Sequence, residues 1–185
     1  MNRITPLPSR GMISFADPAL ATDNVFVASI TDLVNEVYAA AEQGLWSGET
    51  DRTNAAAVAA LIAAGELVVA REDGEIVGAA RVQRLPTGEG EVGMLVAHPK
   101  RRGAGIGREL LAYAEGWART RGLTTMQLEL LVPRTWTHPV KDFLRGWYTR
   151  AGYQVVRVTD LTEDYPELHP RLATPCDFLI FNKAL

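Results

Sequence analysis

Apolar and polar positions along this chain repeat with two different periods, and the changes between them mark out the elements. Residues 25–30 are a short apolar run that reads as a first strand. Leu33, Val34, Val37, Tyr38 and Ala41 then recur at helical spacing, and Gly44 stands where a C-terminal cap is expected. After a break at 45–49, Thr53 is placed to cap an alanine-rich helix with Val58, Leu61 and Ile62 as its stripe and Gly65 as its stop. Three strands follow. Residues 67–70 are apolar, Asp73-Gly74 is a two-residue hairpin signal, residues 76–85 form the partner, and 91–96 come next.

A long amphipathic helix begins near Ile106, with Leu110, Ala114, Trp117 and Ala118 on one face, Glu115 and Arg119 set to pair outside, and Gly122 at its end. Gly116 inside it costs roughly 1 kcal/mol relative to alanine, which points to a close contact there. Residues 126–131 alternate as a strand, with Leu128 and Leu130 opposite Gln127 and Glu129. Pro139 opens a further helix with the stripe Val140, Phe143, Leu144, Trp147 and Tyr148, closed by Gly152. Strands at 153–158 and 177–181 flank a proline-bearing loop at 160–175, in which a short helical turn is expected. Residues 1–23 read as an irregular arm, and no repeat or linker divides 1–185 into more than one domain. The order is strand, two helices, three strands, helix, strand, helix, two strands, which predicts an α/β (α+β type) fold. Its mixed, mostly antiparallel central sheet has about six or seven strands, flanked by helices.

The chain has 185 residues, 47% hydrophobic, enough for a sizeable core, and a formal net charge of -3. That balance argues against a surface built for nucleic acid. No apolar run approaches the roughly 18 residues of a membrane helix and no signal-peptide core opens the chain, so a cytoplasmic protein with no membrane partner is expected. A lone cysteine, Cys176, excludes a disulfide framework, and at the start of a strand it is expected to be buried. His98, His138 and His169 sit in or beside predicted turns at spacings that suggest no metal site.

The chemistry concentrates at 99–111. A strand ends in Pro99, Lys100, Arg101 and Arg102, and Gly103-Ala104-Gly105-Ile106-Gly107-Arg108 leads into the long helix. Alternating glycines let backbone N–H groups crowd a ligand, and the helix start adds about half a positive charge, so this is an anion site suited to a diphosphate. Between residues 100 and 121 there are six Lys/Arg against two Glu, a local excess on an acidic chain. A P-loop would need Lys-Ser/Thr after its last glycine, and Arg108-Glu109 stands there. A dinucleotide fingerprint would need a small residue where Arg108 stands and a parallel unit where a hairpin precedes.

Arg102-x-x-Gly105-x-Gly107 after a short strand, followed by an amphipathic helix, resembles the acyl-coenzyme A motif of GNAT N-acetyltransferases. Tyr148-Thr149-Arg150-Ala151-Gly152-Tyr153 resembles that family's Tyr-x-x-x-Gly-Phe/Tyr segment, and residues 177–185 resemble a usual family ending. The likeness runs from about residue 66 to 185 and is vague over 24–65. The resemblance implies a GNAT-like fold and an acetyltransferase that moves an acetyl group from acetyl-CoA, a cosubstrate, to a primary amine of a small molecule or peptide. Direct transfer in a ternary complex is implied, without a metal. A larger acyl group and a non-catalytic acyl-coenzyme A sensor are the alternatives, and the oligomeric state is left open, a homodimer included.

The roles the resemblance implies fall on particular residues. Arg102 and the backbone of Gly103, Ala104, Gly105, Ile106, Gly107 and Arg108 hold the diphosphate, and Leu95, Val96 and Ala97 offer backbone groups to the pantetheine arm. Tyr148 is the candidate general acid, a phenol with a pKa of about 10 that can serve a departing thiolate. Glu129 is the first candidate base and Glu91 the second, acting through water. Lys141 stands seven residues before Tyr148, where family members often carry asparagine, and the Glu129–Tyr148 connection is longer than usual. Both departures point to a remodelled acceptor side, with Trp46, Trp136 and His138 as its border, while Trp117 and Trp147 read as core.

Overall fold

The computed structural model describes residues 11–48 and 51–185. The run at 25–30 is helical, not a strand. Asp23 accepts from the N–H groups of Val25 and Phe26, and α1 (Asn24–Ala41) continues from that cap. Phe26, Val27, Ile30, Leu33 and Val34 are buried at helical spacing, while Val25 is 81% exposed. Six apolar residues carry too little period to separate strand from helix, so the cap decides. The first strand lies earlier, in the region that reads as an arm. There β1 (Met12–Phe15) pairs antiparallel with β2 (Leu67–Glu72), and a 3-10 turn, Pro18–Thr22, follows it. The remainder of that arm, residues 1–10, lies outside the described residues. In α2 (Ala55–Ala63) the cap is Asn54, whose side chain accepts from Ala57 N at 2.9 Å, whereas the Thr53 N–H donates to Asn35 Oδ1.

The other strands are β3 (Glu75–Arg84), β4 (Gly90–Ala97), β5 (Thr125–Pro133), β6 (Gln154–Thr159) and β7 (Cys176–Ala184). Asp73 (φ 50°) and Gly74 (φ 86°) form the tight β2–β3 hairpin turn with both residues left-handed. The seven strands make one sheet in the order β1-β2-β3-β4-β5-β7-β6, antiparallel everywhere except β4–β5, so the mixed, mostly antiparallel sheet expected above is present. Remaining helices are α3 (Ile106–Thr120), α4 (Pro139–Arg150) and the short α5 (Leu161–Asp164).

Strand alternation divides the core in two. Val68, Ala70, Val82, Val92, Leu128 and Phe181 pack with Ile106, Leu110 and Leu111 of α3 and Tyr148 of α4. Leu67, Val69, Ala79 and Val96 point the other way, onto Phe26, Ile30, Val34, Val58 and Ile62 of α1 and α2. Gly78 in β3 lets α3 settle close: a Cβ there would lie 2.7 Å from Ile106 Cγ2 and 3.0 Å from the Val96 carbonyl oxygen. Gly116, by contrast, has no neighbour within 4 Å of the position of a Cβ, so no close contact explains it. Two further expectations change. Phe143 is 62% exposed rather than part of a stripe. Glu115 is buried, not outside, and binds Lys183 Nζ at 2.8 Å with the Tyr153 hydroxyl at 3.2 Å, its contact with Arg119 being a longer 3.5 Å.

One irregularity organises the centre of the sheet. β4 and β5 pair only at Gly90/Met126 and Glu91/Gln127, and beyond those pairs they part. On its other side β4 bulges: Ala79 and Arg81 face Val96 and Gly93, so Met94 and Leu95 together oppose Ala80, and Met94 has φ 48°. A left-handed non-glycine residue costs on the order of 1–2 kcal/mol, and here it bends β4 just where the gap opens. Among the described residues no helix is long and apolar enough to cross a membrane.

Candidate active site

The glycine loop leaves β4 at the open end of this gap. His98 accepts from Lys100 N through Nδ1, a short 3-10 turn covers Pro99–Arg101, and Gly103 (φ 87°) and Gly105 (φ 88°) then take the left-handed backbone that brings α3 into line. The N–H groups of Ile106, Gly107 and Arg108 lie in the first turn of α3, where no preceding carbonyl of the helix can accept them. Arg101 is tied to Glu72 at 3.3 Å. Among the described residues neither Arg102 nor Arg108 has a carboxylate partner, and both are exposed. Beside this turn, an open groove of about 330 Å³ between α3 and α4 is lined by Arg108, Ala112, Trp147 and Arg150. Trp147 packs against the core, as expected, and its ring also lies against Gly107 as a partly buried wall of that groove.

Two carboxylates flank the gap on the α1 side. Glu91 and Gln127 are in register, so Glu91, Gln127 and Glu129 project from one face of β4 and β5. Glu91 is 7% exposed and accepts a hydrogen bond from Gln83 Nε2; Gln83 in turn accepts from Arg81 at 2.8 Å. Glu129 accepts from the Tyr165 hydroxyl at 3.0 Å. Burial, reinforced by the Glu91 charge, pushes the Glu129 carboxyl from its ordinary 4.5 up to about 7, against the smaller opposing effect of the Tyr165 hydrogen bond. The expected first base is therefore half-buried and ionises near neutral pH.

Tyr148 comes from the opposite face. It is 7% exposed and packed among Trp147, Tyr153 and Phe181, with ring centroids 5.1, 6.5 and 5.8 Å away. Burial, and then the Tyr38 hydroxyl of α1, hold its phenol well above the ordinary value. Tyr38 belongs to the α1 side of the core, so the two tyrosines interact across the sheet. The Arg52 guanidinium lies over the Tyr38 ring, 5.1 Å from its centroid. Desolvation opposes its charge, but Tyr38, Glu42 and Tyr165 more than offset this and hold its pKa above the ordinary value. Tyr38, Arg52 and Tyr165 escape sequence reasoning. Tyr38 reads as part of a helical stripe, Arg52 as one charge in a break, and Tyr165 as a loop residue.

Lys141, which stands where family members often carry asparagine, has a definite partner. Lys141 is 4% exposed and its Nζ donates to Glu42 Oε1 at 2.9 Å, while the Trp46 indole N–H donates to Glu42 Oε2 at 2.7 Å. His138, also buried, lies 5.3 Å from the Trp136 ring, and neither of its ring nitrogens has a hydrogen-bond partner among the described residues. Cys176 is buried nearby. Burial pushes its thiol up to about 11, partly countered by the Lys141 charge, so it is protonated at neutral pH. Glu163 and Asp164 are ion-paired to Arg157 at 3.3 and 2.9 Å. No three His, Cys, Asp or Glu side chains group as a metal site among the described residues.

Comparison with known proteins bears on the fold and the family. The model of the Acetyltransferase (GNAT) family matches residues 30–153. Among solved structures, the PaiA N-acetyltransferase of Thermoplasma acidophilum in complex with coenzyme A superposes with a TM-score of 0.68 at 15% identity, covering 95% of this chain and 99% of that one. The yncA protein of Salmonella typhimurium, solved with its cofactor acetyl-CoA, gives 0.67 at 20% identity over 96% and 95%. The ribosomal-protein-alanine N-acetyltransferase of Brucella melitensis gives 0.64 at 18% identity over 94% and 99%. No curated protein matches the chain by sequence.

Proposed function

The chain belongs to the GNAT acetyltransferase family, and from that premise we propose that it transfers an acetyl group from acetyl-CoA directly to a primary amine, with both bound in the gap between β4 and β5. What supports this reading is the parting of β4 from β5 beside a glycine loop whose Arg102 and Arg108 have no carboxylate partner among the described residues, with Glu129 on one face of the sheet and Tyr148 on the other.

In this reading Arg102, Arg108 and the N–H groups of residues 103–108 hold the diphosphate. Backbone groups of Leu95, Val96 and Ala97, on the lip of β4 that faces the gap, align the pantetheine arm, and an N–H there polarises the thioester carbonyl. Glu129, titrating near 7, takes the proton that the amine loses as its nitrogen bonds to the carbonyl carbon. Glu91 keeps Glu129 poised through its charge and is the second candidate for the base, acting through water. As the carbon–sulfur bond breaks, the Tyr148 hydroxyl hydrogen-bonds to the sulfur and supplies its proton. One proton is lost by the amine and one gained by the thiol, and solvent resets both side chains. Because burial holds Tyr148 above the ordinary phenol value, it remains a donor throughout the working pH range.

Replacing Tyr148 with Phe is the direct test. The variant is expected to bind acetyl-CoA as the wild type does and to lose about 10²-fold or more in kcat on a reactive amine. Acetyl-CoA at 100-fold its Kd is expected to stabilise both proteins by about 2.7 kcal/mol, read as a rise in melting temperature. An unchanged melting temperature removes the donor assignment, and unchanged turnover removes Tyr148 as the acid.

A further inference from the structure

The charges around the gap are separated in a way that the transfer reaction does not itself require. Glu91 and Glu129 lie together on one face of β4 and β5, and among the described residues neither makes an ion pair. Across Tyr38 and Tyr165 stands Arg52, which likewise has no carboxylate partner among the described residues. Glu42 is near enough to act on Arg52, yet both of its oxygens are engaged, by Lys141 at 2.9 Å and Trp46 at 2.7 Å. Lys141 and Glu42 cancel each other. Arg157 and Asp164, which also act on Glu129, are paired with each other at 2.9 Å, so what remains at the acceptor side is a carboxylate pair and the Arg52 guanidinium, joined by tyrosines whose rings and hydroxyls suit the body of a small molecule. Arg52 lies over one of those rings, and Tyr165 touches Glu129 at 3.0 Å. An amine alone would satisfy only the carboxylates, and a second, anionic group on the same molecule would satisfy the guanidinium.

We propose that the acceptor is a small amino acid, an amine that also carries a carboxylate, bound with its nitrogen at Glu129 and Glu91 and its carboxylate at Arg52. This rests on the reading of Glu129 as the base. Arg52 is then the specificity-determining residue: it discriminates by charge and takes no part in bond making.

The experiment measures binding and turnover on matched pairs. Protein saturated with coenzyme A is titrated calorimetrically with a panel of L-amino acids, with 4-aminobutyrate and with 5-aminovalerate, each beside its carboxamide. Acetyl transfer to the same compounds is measured at saturating acetyl-CoA. The best acid is expected to bind at least tenfold more tightly than its carboxamide. Arg52→Gln is expected to bring that ratio to within about threefold, chiefly through KM, and Arg52→Lys to retain part of it. The proposal is overturned if no acid on the panel binds, if acid and carboxamide bind alike to the wild type, or if the ratio survives in Arg52→Gln. Should the acids bind with an Arg52-dependent ratio while no acetyl group moves, the amino-acid site stands and the catalytic roles of Glu129 and Tyr148 fall instead. Where Arg52→Gln folds poorly, a wild-type ratio near one still overturns the proposal, and Arg52→Lys is read in its place, an unchanged ratio there overturning the assignment to Arg52.

Discussion

Glu129 holds its proton in the folded protein at a pH where the same carboxyl in the unfolded chain has already lost it. Between the ordinary 4.5 and about 7 the folded state binds the extra proton, so stability falls as pH rises through that window and stays lower above it. Glu129→Gln removes the effect. The melting temperature of the variant, measured against that of the wild type, should therefore gain on raising the pH from 5 to 8. The same substitution should lower kcat/KM by 10²- to 10⁴-fold and abolish an acidic limb with a midpoint near 7 in the pH–rate profile. A variant that retains that limb assigns the base elsewhere, with Glu91 next in line. Glu129, Glu91 and Tyr148 are legible in the sequence because strand alternation and a motif single them out. Tyr38, Arg52 and Tyr165 come from a helix, a break and a proline-bearing loop, and no spacing rule connects three segments that only the folded chain brings together.

Among the elements, α1 and α4 are joined by a buried ion pair, Lys141–Glu42, between residues that are 99 positions apart. Removing one partner leaves a charge buried without compensation, so Lys141→Met should cost about 3–5 kcal/mol in denaturant unfolding. Adding Glu42→Gln should recover most of that loss, since the glutamine carbonyl still accepts the Trp46 N–H. If the double variant is no better than the single one, the ion pair is not what holds these helices. The 160–175 segment is fixed differently. Arg157 grips Glu163 and Asp164, Arg134 reaches Asp160 at 3.3 Å, and the Tyr165 ring packs edge-on against Phe178 at 5.5 Å. These exposed ion pairs are individually worth little, but together they aim Tyr165 at Glu129. Elements with long amphipathic stripes, such as α3 and β5, follow the sequence closely. The apolar run at 25–30 does not, because its helical identity rests on the Asp23 cap and on burial against β3 and β4, which a local pattern does not contain.

At the scale of the whole molecule, an acidic chain carries six basic residues between 100 and 121, of which Lys100, Arg101, Arg102 and Arg108 stand at the glycine loop and the start of α3 while Arg119 and Arg121 stand at its far end. The hairpin and the helical connections give much of the sheet in advance. The insertion of β7 between β5 and β6, and the parting of β4 from β5, do not follow from alternation, since a splayed strand and a paired one show the same pattern of side chains. That parting has a consequence for dynamics. A seven-stranded sheet ordinarily shields its central amides best from solvent deuterium, and this one carries two free edges through its middle. Amides of residues 92–97 that face the gap should exchange by local access, well before those at 126–131 that bond to β7. Acetyl-CoA seated along β4 would take the place of a neighbouring strand and slow them selectively. In hydrogen–deuterium exchange the donor should thus register as a missing rung restored, a signature that a ligand held only by its diphosphate at the glycine loop would not leave.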